Sequence, residues 1–275
     1  MSIFSNKVAI VTGAASGLGK TLGEGLAQSG AIVVLADVNS DGVEGVAVGI
    51  REKGQNAEAT TVDVTDFEAV KGLVERTVKE HGRLDYLFNN AGILIFGEAR
   101  DVSISDWRAV IDLDLYGVVN GIVAAFPLMV EQGFGHIVNT ASVEGLAPFP
   151  VMGSYVASKY GVVGLSHALR AEGAALGVKV SVACPGYVTT KIIETSKMVK
   201  IDREKILASL SGGMGVSPEE CVSRILRGVE RNKATIVIGW WAKIMWRLQR
   251  MSPGLVYWIM RIVVGRMRKA RMQSG

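Results

Sequence analysis

Three residues of this 275-residue chain have the types and the spacing of a proton-transfer site. Tyr155 follows Ser142 by thirteen positions, and Lys159 follows Tyr155 by four, which places phenol and ammonium on one face of a helix. A free phenol has a pKa of about 10 and is a poor acid or base at neutral pH. A lysine charge beside it would lower that pKa. The group therefore predicts general acid or base chemistry at a substrate oxygen that the serine polarises.

A second tyrosine–lysine pair has the same spacing but lacks this context. Tyr187 and Lys191 follow Pro185 and Gly186, which indicate a turn and not a helix interior. Thirteen residues before Tyr187 the chain has Ala174, so this pair has no serine partner. We therefore assign the chemistry to the first pair.

The elements that must position these residues alternate along the chain. Seven short apolar runs, most of them β-branched, are typical of strands, and helical patterns lie between them. This alternation predicts an α/β fold with a doubly wound parallel sheet of about seven strands and helices on both faces. We expect one such domain over residues 1–239, followed by a helical tail over residues 240–275. The predicted strands are residues 8–11, 32–36, 59–62, 84–88, 136–139, 179–183 and 235–238.

A glycine-rich turn follows the first predicted strand and opens a helix that runs to about Ser29. Glycines let the backbone approach a phosphate closely, and the N–H groups and dipole of a helix N-terminus favour an anion. A turn of this kind at this place indicates a dinucleotide pyrophosphate site. The residues assigned to it are Gly13, Ser16, Gly17, Leu18 and Gly19.

Asp37 ends the second predicted strand, eighteen residues beyond Gly19. An acidic residue about 20 residues after such a turn binds the ribose hydroxyls of the adenosine. The carboxylate would also repel a 2′-phosphate, and neither Ser16 nor Val38 supplies a cation to offset that repulsion. The sequence therefore favours NAD over NADP.

The chain resembles the short-chain dehydrogenase/reductase family, in its compact single-domain form, over roughly residues 5–240. The motifs that carry the resemblance are TGxxxGxG at 12–19, NNAG at 89–92, Ser142, Tyr155 with Lys159, and Pro185-Gly186. The family implies a Rossmann-like fold and a hydride transfer between a nicotinamide and a secondary alcohol or its ketone. It also implies a homotetramer or a homodimer.

The resemblance assigns further residues to the cofactor. Tyr155 and Lys159 would contact the nicotinamide ribose, and Asp63 with Val64 the adenine. The remaining positions, which would line the cofactor or hold the nicotinamide carboxamide, are Asn90, Ala91, Gly92, Pro185, Gly186, Val188 and Thr190.

One position departs from the family pattern. Asp114 stands where the family usually has Asn, a residue whose main-chain carbonyl holds a water that leads protons to the lysine. Two interpretations stay open: Asp114 is a relay member that offsets the effect of Lys159 on Tyr155, or it is only structural.

The substrate segment, residues 143–154 between Ser142 and Tyr155, is mostly apolar. Residues 143–154 and the predicted lid at 189–215 supply Leu146, Ala147, Phe149, Val151, Met152, Ile192, Ile193 and Met198. These side chains predict a hydrophobic alcohol or ketone, with the serine and tyrosine holding its oxygen. Gly212 and Gly213 are hinge candidates for the lid.

The tail concentrates positive charge and aromatic rings. Residues 240–275 hold eight Lys or Arg, no acid and four of the five tryptophans, which leaves 22 bases against 26 acids upstream. Two interpretations remain: the aromatics cover the substrate site or pack between subunits, or the tail contacts an anionic membrane peripherally. We expect no nucleic-acid partner, because a basic stretch without a binding fold is little evidence.

Composition limits the remaining possibilities. Cys184 and Cys221 have neither disulfide nor metal spacing, and we predict no metal site. We expect a cytoplasmic protein, and the membrane contact of the tail described above would be peripheral. The alternative function is a catalytically silent NAD(H) sensor or scaffold, which predicts a damaged triad, whereas Ser142, Tyr155 and Lys159 are all present.

Overall fold

A seven-stranded parallel sheet forms the centre of the molecule. The computed structural model describes residues 2–210 and 215–269, and all seven strands fall within these ranges. Two further short strands, β5 and β8, pair with each other in parallel. The strands are β1 (Val8–Thr12), β2 (Ile32–Asp37), β3 (Ala57–Thr61), β4 (Tyr86–Asn89), β5 (Ile95–Phe96), β6 (Gly135–Thr140), β7 (Val178–Pro185), β8 (Lys197–Met198) and β9 (Thr235–Ile238).

Helices connect the strands and extend beyond the last one. They are α1 (Gly17–Gln28), α2 (Ser40–Arg51), α3 (Phe67–His81), α4 (Ile104–Ile111), α5 (Gly117–Gln132), α6 (Gly153–Gly173), α7 (Ile192–Thr195), α8 (Arg203–Leu210), α9 (Pro218–Glu230), α10 (Trp240–Met251) and α11 (Pro253–Lys269). A π-helical segment, Asp112–Tyr116, joins α4 to α5, and a 3-10 turn, Val143–Gly145, follows β6.

Both faces of the sheet are covered by apolar helix faces. On one face, α1, α2 and α9 bury residues such as Leu22, Ile50 and Ile225. On the other, α3, α5 and α6 bury residues such as Leu73 and Met129. Because β1, β2 and β7 bury residues on both sides, they are nearly continuous apolar runs, as expected for a doubly covered parallel sheet.

The strand order creates a crevice at one place. The order is β3-β2-β1-β4-β6-β7-β9, so the chain moves outward from β1 in one direction and then from β4 in the other. Ligands of open α/β sheets bind at this switch point, outside the carboxyl ends of the strands. The fold therefore places a site after Thr12 and Asn89, and it confirms the predicted Rossmann-like architecture.

Two strands begin two residues away from their predicted starts. β3 begins at Ala57 and not at residue 59, because its register with β2 starts at Val33↔Ala57; its side chains are mostly half-exposed, so apolarity does not mark its start. β4 begins two residues after Leu84, whose N–H donates to the Gln132 side chain at 2.9 Å and not to a neighbouring strand.

The predicted lid contains short ordered elements. α7, β8 and α8 lie within it, and β8 pairs with β5 through Ile95↔Lys197 and Phe96↔Met198. α8 is the longest of the helices in the described part of the lid. The hinge candidates Gly212 and Gly213 lie outside the described residues.

The continuous helical stretch Ile104–Gln132 is long and apolar enough to cross a membrane by length and composition. Its residues Val118, Ile122 and Met129 are buried in the core on one face of the sheet. This contact identifies the stretch as a helix of the domain core.

Candidate active site

The predicted triad assembles at the carboxyl ends of β6 and β7. Ser142 follows β6, and Tyr155 and Lys159 lie in the first two turns of α6. Lys159 Nζ lies 5.3 Å from the centroid of the Tyr155 ring, and the Ser142 side chain lies close enough to the phenol to affect its pKa. The structure thus brings together hydroxyl, phenol and ammonium as their spacing predicts.

The pKa of Tyr155 is raised well above its usual value, which differs from our expectation. Burial is the largest cause, followed by the charges of Glu144 and Asp114, while Ser142 offsets part of the effect. The expected lowering by Lys159 is not among these causes. Burial and the two nearby carboxylates therefore dominate the pKa of Tyr155.

The ammonium of Lys159 is buried and held by two acceptors. Its Nζ donates to Thr140 O at 3.2 Å and forms an ion pair with Asp114 Oδ2 at 3.0 Å. An ammonium has three N–H donors, so a third remains for a ligand. The ion pair supports the relay interpretation of Asp114 in one respect: its carboxylate contacts the lysine directly.

Asp114 owes its position to a local change in helix geometry. It lies in the π-helical segment between α4 and α5, a type of distortion that is frequent at functional sites. Its Oδ1 accepts the N–H of Ile93 at 2.8 Å, which ties the helix to the loop after β4. Burial raises the pKa of Asp114, and Lys159 and the Ile93 N–H offset part of this rise.

A further acidic residue, Glu144, belongs to the site and was missed by sequence reasoning. The Ser142 hydroxyl is hydrogen-bonded to the Glu144 carboxyl, and Ser142 Oγ also lies 3.2 Å from Pro185 O. Burial raises the pKa of Glu144, while Ser142 and Lys159 oppose the rise. A signal was present in the sequence, since Glu144 is the one charged residue within the apolar stretch 143–154.

The glycine-rich turn has no room for side chains. Gly13 has a φ of +67°, and a Cβ there would lie 2.7 Å from Ala91 Cα. A Cβ on Gly19 would lie 2.0 Å from Gly13 O and 2.6 Å from Asn90 Nδ2. The turn is therefore pressed against the loop after β4, and its backbone faces the switch-point crevice.

The start of α1 is free to receive an anion. Ser16 is the N-cap residue, yet its side chain makes no capping hydrogen bond, and it is exposed. No acidic residue lies in the first turn, where Leu18 follows Gly17. The hydroxyl and the first N–H groups of the helix are thus suited to a pyrophosphate.

Asp37 lies beside this turn, at the end of β2. Its Oδ2 accepts the N–H of Ala15 at 3.0 Å, and its Oδ1 accepts the N–H of Asn39 at 3.0 Å. The two bonds fix the carboxylate next to the glycine-rich turn, and its neighbour Val38 is 62% exposed. The geometry agrees with a ribose-binding carboxylate.

The loop after β4 is held by Thr12. Asn90 Nδ2 donates to Thr12 O at 3.1 Å, while the N–H groups of Asn90 and Ala91 donate to Thr12 Oγ1 at 2.9 and 3.1 Å. A Cβ on Gly92 would lie 3.2 Å from Asp114 Oδ2. These contacts link the predicted cofactor residues to Asp114, and they show that Thr12, the first residue of the glycine-rich motif, holds the loop after β4.

The predicted adenine residues follow β3. Asp63 is exposed and accepts from the N–H and hydroxyl of Thr65 at 2.9 and 2.8 Å. Val64 is buried, and its carbonyl accepts from Asn120 Nδ2 at 2.9 Å. Asp63 therefore borders the surface near the crevice, whereas the Val64 side chain packs against the core helices.

The segment after β7 closes the crevice from the other side. Gly186 N donates to Ile238 O at 2.8 Å, and Val188 bridges to Val216. Thr190 lies next to the glycine-rich turn, since a Cβ on Gly17 would be 3.7 Å from Thr190 Cβ. The turn and this segment thus face each other across the predicted nucleotide path.

The second tyrosine–lysine pair, Tyr187 and Lys191, is not on a helix. Tyr187 and Val188 lie between β7 and α7, and Lys191 is exposed. This placement agrees with the assignment of the chemistry to Tyr155 and Lys159.

An apolar cluster borders Tyr155, and its membership corrects part of the substrate prediction. Phe149, Val151, Met152, Ile193 and Met198 belong to it, as expected. Three predicted members do not: Leu146 packs into the domain core, Ala147 packs against the tail, and Ile192 is exposed. The substrate segment turns between these contacts, so its side chains point in different directions. Members that were not predicted are Leu94, Phe96, Val156, Tyr187, Ile201, Ile206, Leu207 and Met267.

Comparison with known proteins places this geometry in a family. A family model described as short chain dehydrogenase matches residues 7–199. The chain belongs to this family. As a short-chain dehydrogenase it is an oxidoreductase that binds a nicotinamide cofactor and acts on small-molecule alcohols or ketones.

Relatives and solved structures agree with this membership. Cyclohexanol dehydrogenase of Acinetobacter sp. (strain SE19) is 40% identical over 204 residues, which cover 72% of this chain and 80% of the relative. Meso-2,3-butanediol dehydrogenase of Serratia marcescens is 35% identical over 236 residues, covering 86% and 92%. A short-chain dehydrogenase/reductase from Burkholderia phymatum, solved in complex with NAD, has a TM-score of 0.84 at 29% identity and covers 93% of this chain and 96% of its own.

Proposed function

We propose that this short-chain dehydrogenase interconverts a hydrophobic secondary alcohol and its ketone with NAD as the cofactor. The observation that carries the proposal is the meeting of Ser142, Tyr155 and Lys159 between the switch-point crevice and an apolar cluster. A site with this arrangement can hold a reacting oxygen and move its proton while the body of the substrate stays among apolar side chains.

Tyr155, Ser142 and Lys159 have different roles in the proposed proton transfer. In alcohol oxidation, Tyr155 as phenolate accepts the hydroxyl proton while the carbinol carbon loses hydride and a carbonyl forms; Ser142 hydrogen-bonds the same oxygen. In ketone reduction, Tyr155 returns the proton. When bound, NAD supplies the ring that accepts or donates the hydride. Lys159 would give its third N–H to a ribose hydroxyl and hold positive charge near the phenol.

The crevice suits NAD in particular. The close contacts at Gly13 and Gly19 leave a backbone cradle that side chains would fill, and Ser16 offers an uncapped helix start. Asp37 supports NAD over NADP, because its carboxylate would repel a 2′-phosphate and the adjacent Val38 brings no compensating charge. A titration with NAD and NADP separates the two; tighter binding of NADP would contradict the assignment.

Turnover is tested with NAD and a panel of alicyclic, steroid-like and long-chain secondary alcohols, with polyols as the polar comparison. We expect the apolar alcohols to be preferred, because Phe96, Phe149 and Met198 border Tyr155. Preference for polyols would refute the substrate class.

Tyr155→Phe tests the assigned acid or base. General acid–base groups contribute about 10²- to 10⁴-fold, so we expect kcat to fall by that range while NAD still binds. The control is Tyr257→Phe, which removes an exposed hydroxyl from α11. Cofactor binding by the native protein without turnover across the panel would favour the silent NAD(H) sensor.

We also propose a homotetramer or a homodimer. Large apolar side chains are exposed on the core helices and the π-helical segment, namely Tyr116, Val123 and Tyr160. Such a face is suited to a second copy of the chain. Sedimentation velocity should show an oligomer that Val123→Glu weakens and that Val48→Glu, on the opposite face of the sheet, leaves unchanged. A monomeric native protein would contradict the proposal.

For the tail, we propose that its outer face binds the anionic cytoplasmic surface of a membrane peripherally. On α10 the exposed residues Trp240, Ile244, Arg247 and Met251 recur at helical spacing, which places them on one face. On α11, Leu255, Tyr257, Trp258 and Ile262 are exposed beside Arg261. Residues 231–275 contain no Asp or Glu, so this apolar face carries positive charge alone.

Vesicle flotation tests the tail proposal. The full-length protein should float with vesicles of phosphatidylglycerol and phosphatidylcholine and not with phosphatidylcholine alone. Arg247→Glu should reduce flotation several-fold, whereas Arg231→Glu changes the net charge equally on an exposed residue outside the tail and should not. Equal flotation of the two variants would contradict membrane binding through this face. If Trp258→Ser instead dissociates an oligomer, the face binds a second copy of the chain.

A further inference from the structure

Glu144 occupies a fixed position beside the reacting groups. It lies in the 3-10 turn Val143–Gly145 that directly follows Ser142. A Cβ on Gly145 would lie 2.5 Å from Lys159 O, so the turn packs tightly against the helix that carries Tyr155 and Lys159. The backbone therefore holds the Glu144 carboxyl against the serine hydroxyl.

The serine hydroxyl faces more acceptors than it has protons. Ser142 Oγ carries one proton, and both the Glu144 carboxyl and Pro185 O lie within hydrogen-bond distance. If Glu144 is ionised, its carboxylate holds the serine proton, and Ser142 has no proton to donate to a substrate. If Glu144 is protonated, its O–H donates to Ser142 Oγ, and the serine proton is free to turn toward Pro185 O or a substrate oxygen.

The surroundings of Glu144 favour the protonated form. Burial raises the pKa of its carboxyl, and the charge that opposes this rise is that of Lys159, which is already paired with Asp114. On the neighbouring side of the turn, α10 contributes the uncharged residues Ala242 and Met245 to the cluster around Val143. Within the described residues, the titratable or charged groups that interact with Glu144 are Tyr155 and Lys159 on α6 and Cys184 on β7. Asp114 on the π-helical segment faces Lys159 and Tyr155.

We propose that Glu144 acts in its protonated form as a positioning residue, donating to Ser142 Oγ so that the serine hydroxyl points its proton at the substrate oxygen. The proposal rests on the oxidoreductase function proposed above. Ionisation of Glu144 withdraws the serine donor and places a negative charge beside Tyr155. The site thus contains a second proton-dependent group besides the tyrosine.

Glu144→Gln and Glu144→Met separate the donor from the charge. Gln keeps an N–H donor toward Ser142 and cannot ionise, whereas Met has a similar length and no donor. In ketone reduction with NADH, we expect the native kcat/KM to carry a descending limb at lower pH than the limb of Tyr155. Glu144→Gln should retain activity and lose that limb. At pH values below that limb, Glu144→Met should lose about tenfold or more, because the serine hydroxyl is no longer positioned toward the reacting oxygen, where a donor is worth about 10²–10³ in kcat. Above the limb, where native Glu144 is ionised, the difference between Met and the native protein should shrink.

A stability readout tests the protonation state without any turnover. A carboxyl with a raised folded pKa gives stability that is fully present below its unfolded pKa and is lost as pH rises through the folded pKa. The Tm of Glu144→Gln should therefore rise relative to the native protein between about pH 4.5 and neutrality. The same substitution at Glu172, exposed on α6, should give a difference that pH does not change in this way.

The outcomes distinguish this proposal from the proposed function. A native protein that turns over no alcohol or ketone would refute the function, while the Tm series would still report whether Glu144 is protonated. A pH-independent Tm difference would overturn the proposal. So would a Glu144→Gln profile identical to the native one, or equal activity of the Gln and Met variants.

Discussion

Around Tyr155, charges of both signs lie within one buried space. Lys159 is the residue that should favour phenolate, yet its ammonium is paired with Asp114 at 3.0 Å. Asp114 raises the pKa of Tyr155, after the larger effect of burial, and Glu144 adds to this rise when it is ionised. Because a neighbouring charge shifts a pKa strongly only when it is not itself neutralised, the carboxylates decide how much of the lysine charge reaches the phenol.

Asp114→Asn should move the pH profile of alcohol oxidation to lower pH. Oxidation needs the phenolate, so kcat/KM rises with pH through the pKa of Tyr155. Removing the Asp114 charge lowers that pKa, and we expect a shift of up to about one unit. The control is Asp112→Asn, an exposed residue of the same π-helical segment. Superimposable profiles would show that Asp114 is only structural.

The same substitution should lower thermal stability, which sets the conditions of the kinetic test. Lys159 is buried, and losing one partner of a buried ion pair costs about 3–5 kcal/mol. The kinetics are therefore measured well below the Tm of the variant, which thermal unfolding determines.

At the scale of elements, the nucleotide site depends on the close approach of two loops. The turn between β1 and α1 touches the loop after β4, and Thr12 bridges them with three hydrogen bonds. Gly13 and Gly19 are required because no side chain fits between these loops. The strand order brings them together, since β1 and β4 are neighbours in the sheet although distant in sequence.

Gly19→Ala should weaken NAD binding and destabilise the protein. The added Cβ would lie 2.0 Å from Gly13 O, so the turn must shift; overpacking of this kind costs about 1–3 kcal/mol. Gly45→Ala is the matched control. Gly45 is exposed in α2, where an added Cβ would meet nothing within 4 Å, and there Ala should stabilise by about 0.5–1 kcal/mol. Urea unfolding and NAD titration check both variants, and equal behaviour would contradict the packing account.

At the scale of the whole molecule, the tail is packed onto the domain by its inner face. Ala242, Met245, Val256 and Met260 are buried together with Val143 and Ala147 of the substrate segment. Trp241 meets Phe149 edge-on with ring centroids 5.4 Å apart. The far end of α11 is joined to Glu98, just after β5, by the ion pair of Arg268 at 3.0 Å. The tail therefore supports the segment between Ser142 and Tyr155.

Met260→Ala should destabilise the protein by about 2–5 kcal/mol, because it opens a cavity beneath the tail. Trp258→Ala removes a larger side chain from the same helix, but this tryptophan is 58% exposed, so its effect should stay within about 0.5 kcal/mol. Chemical denaturation compares the two. A larger loss from Trp258→Ala in the full-length protein would place the exposed face against a partner.

Most of the fold follows from local patterns, and so does the identity of the triad. Apolar runs and glycine positions have direct causes in backbone geometry and burial, which is why β1, β2 and β9 begin where the sequence indicates. The limits of β3 and β4 follow instead from register and from the Gln132 side chain, neither of which is a local property.

The sequence by itself determined the parallel α/β fold, the glycine-rich cofactor turn and the spacing of Ser142, Tyr155 and Lys159. Only the tertiary structure showed that Asp114 pairs with Lys159 and that Glu144 contacts Ser142. It also divided the tail into a buried and an exposed face. Residue type and spacing specify which groups are available, but a pKa depends on every charge and on the solvent excluded around the group, and folding alone brings those together.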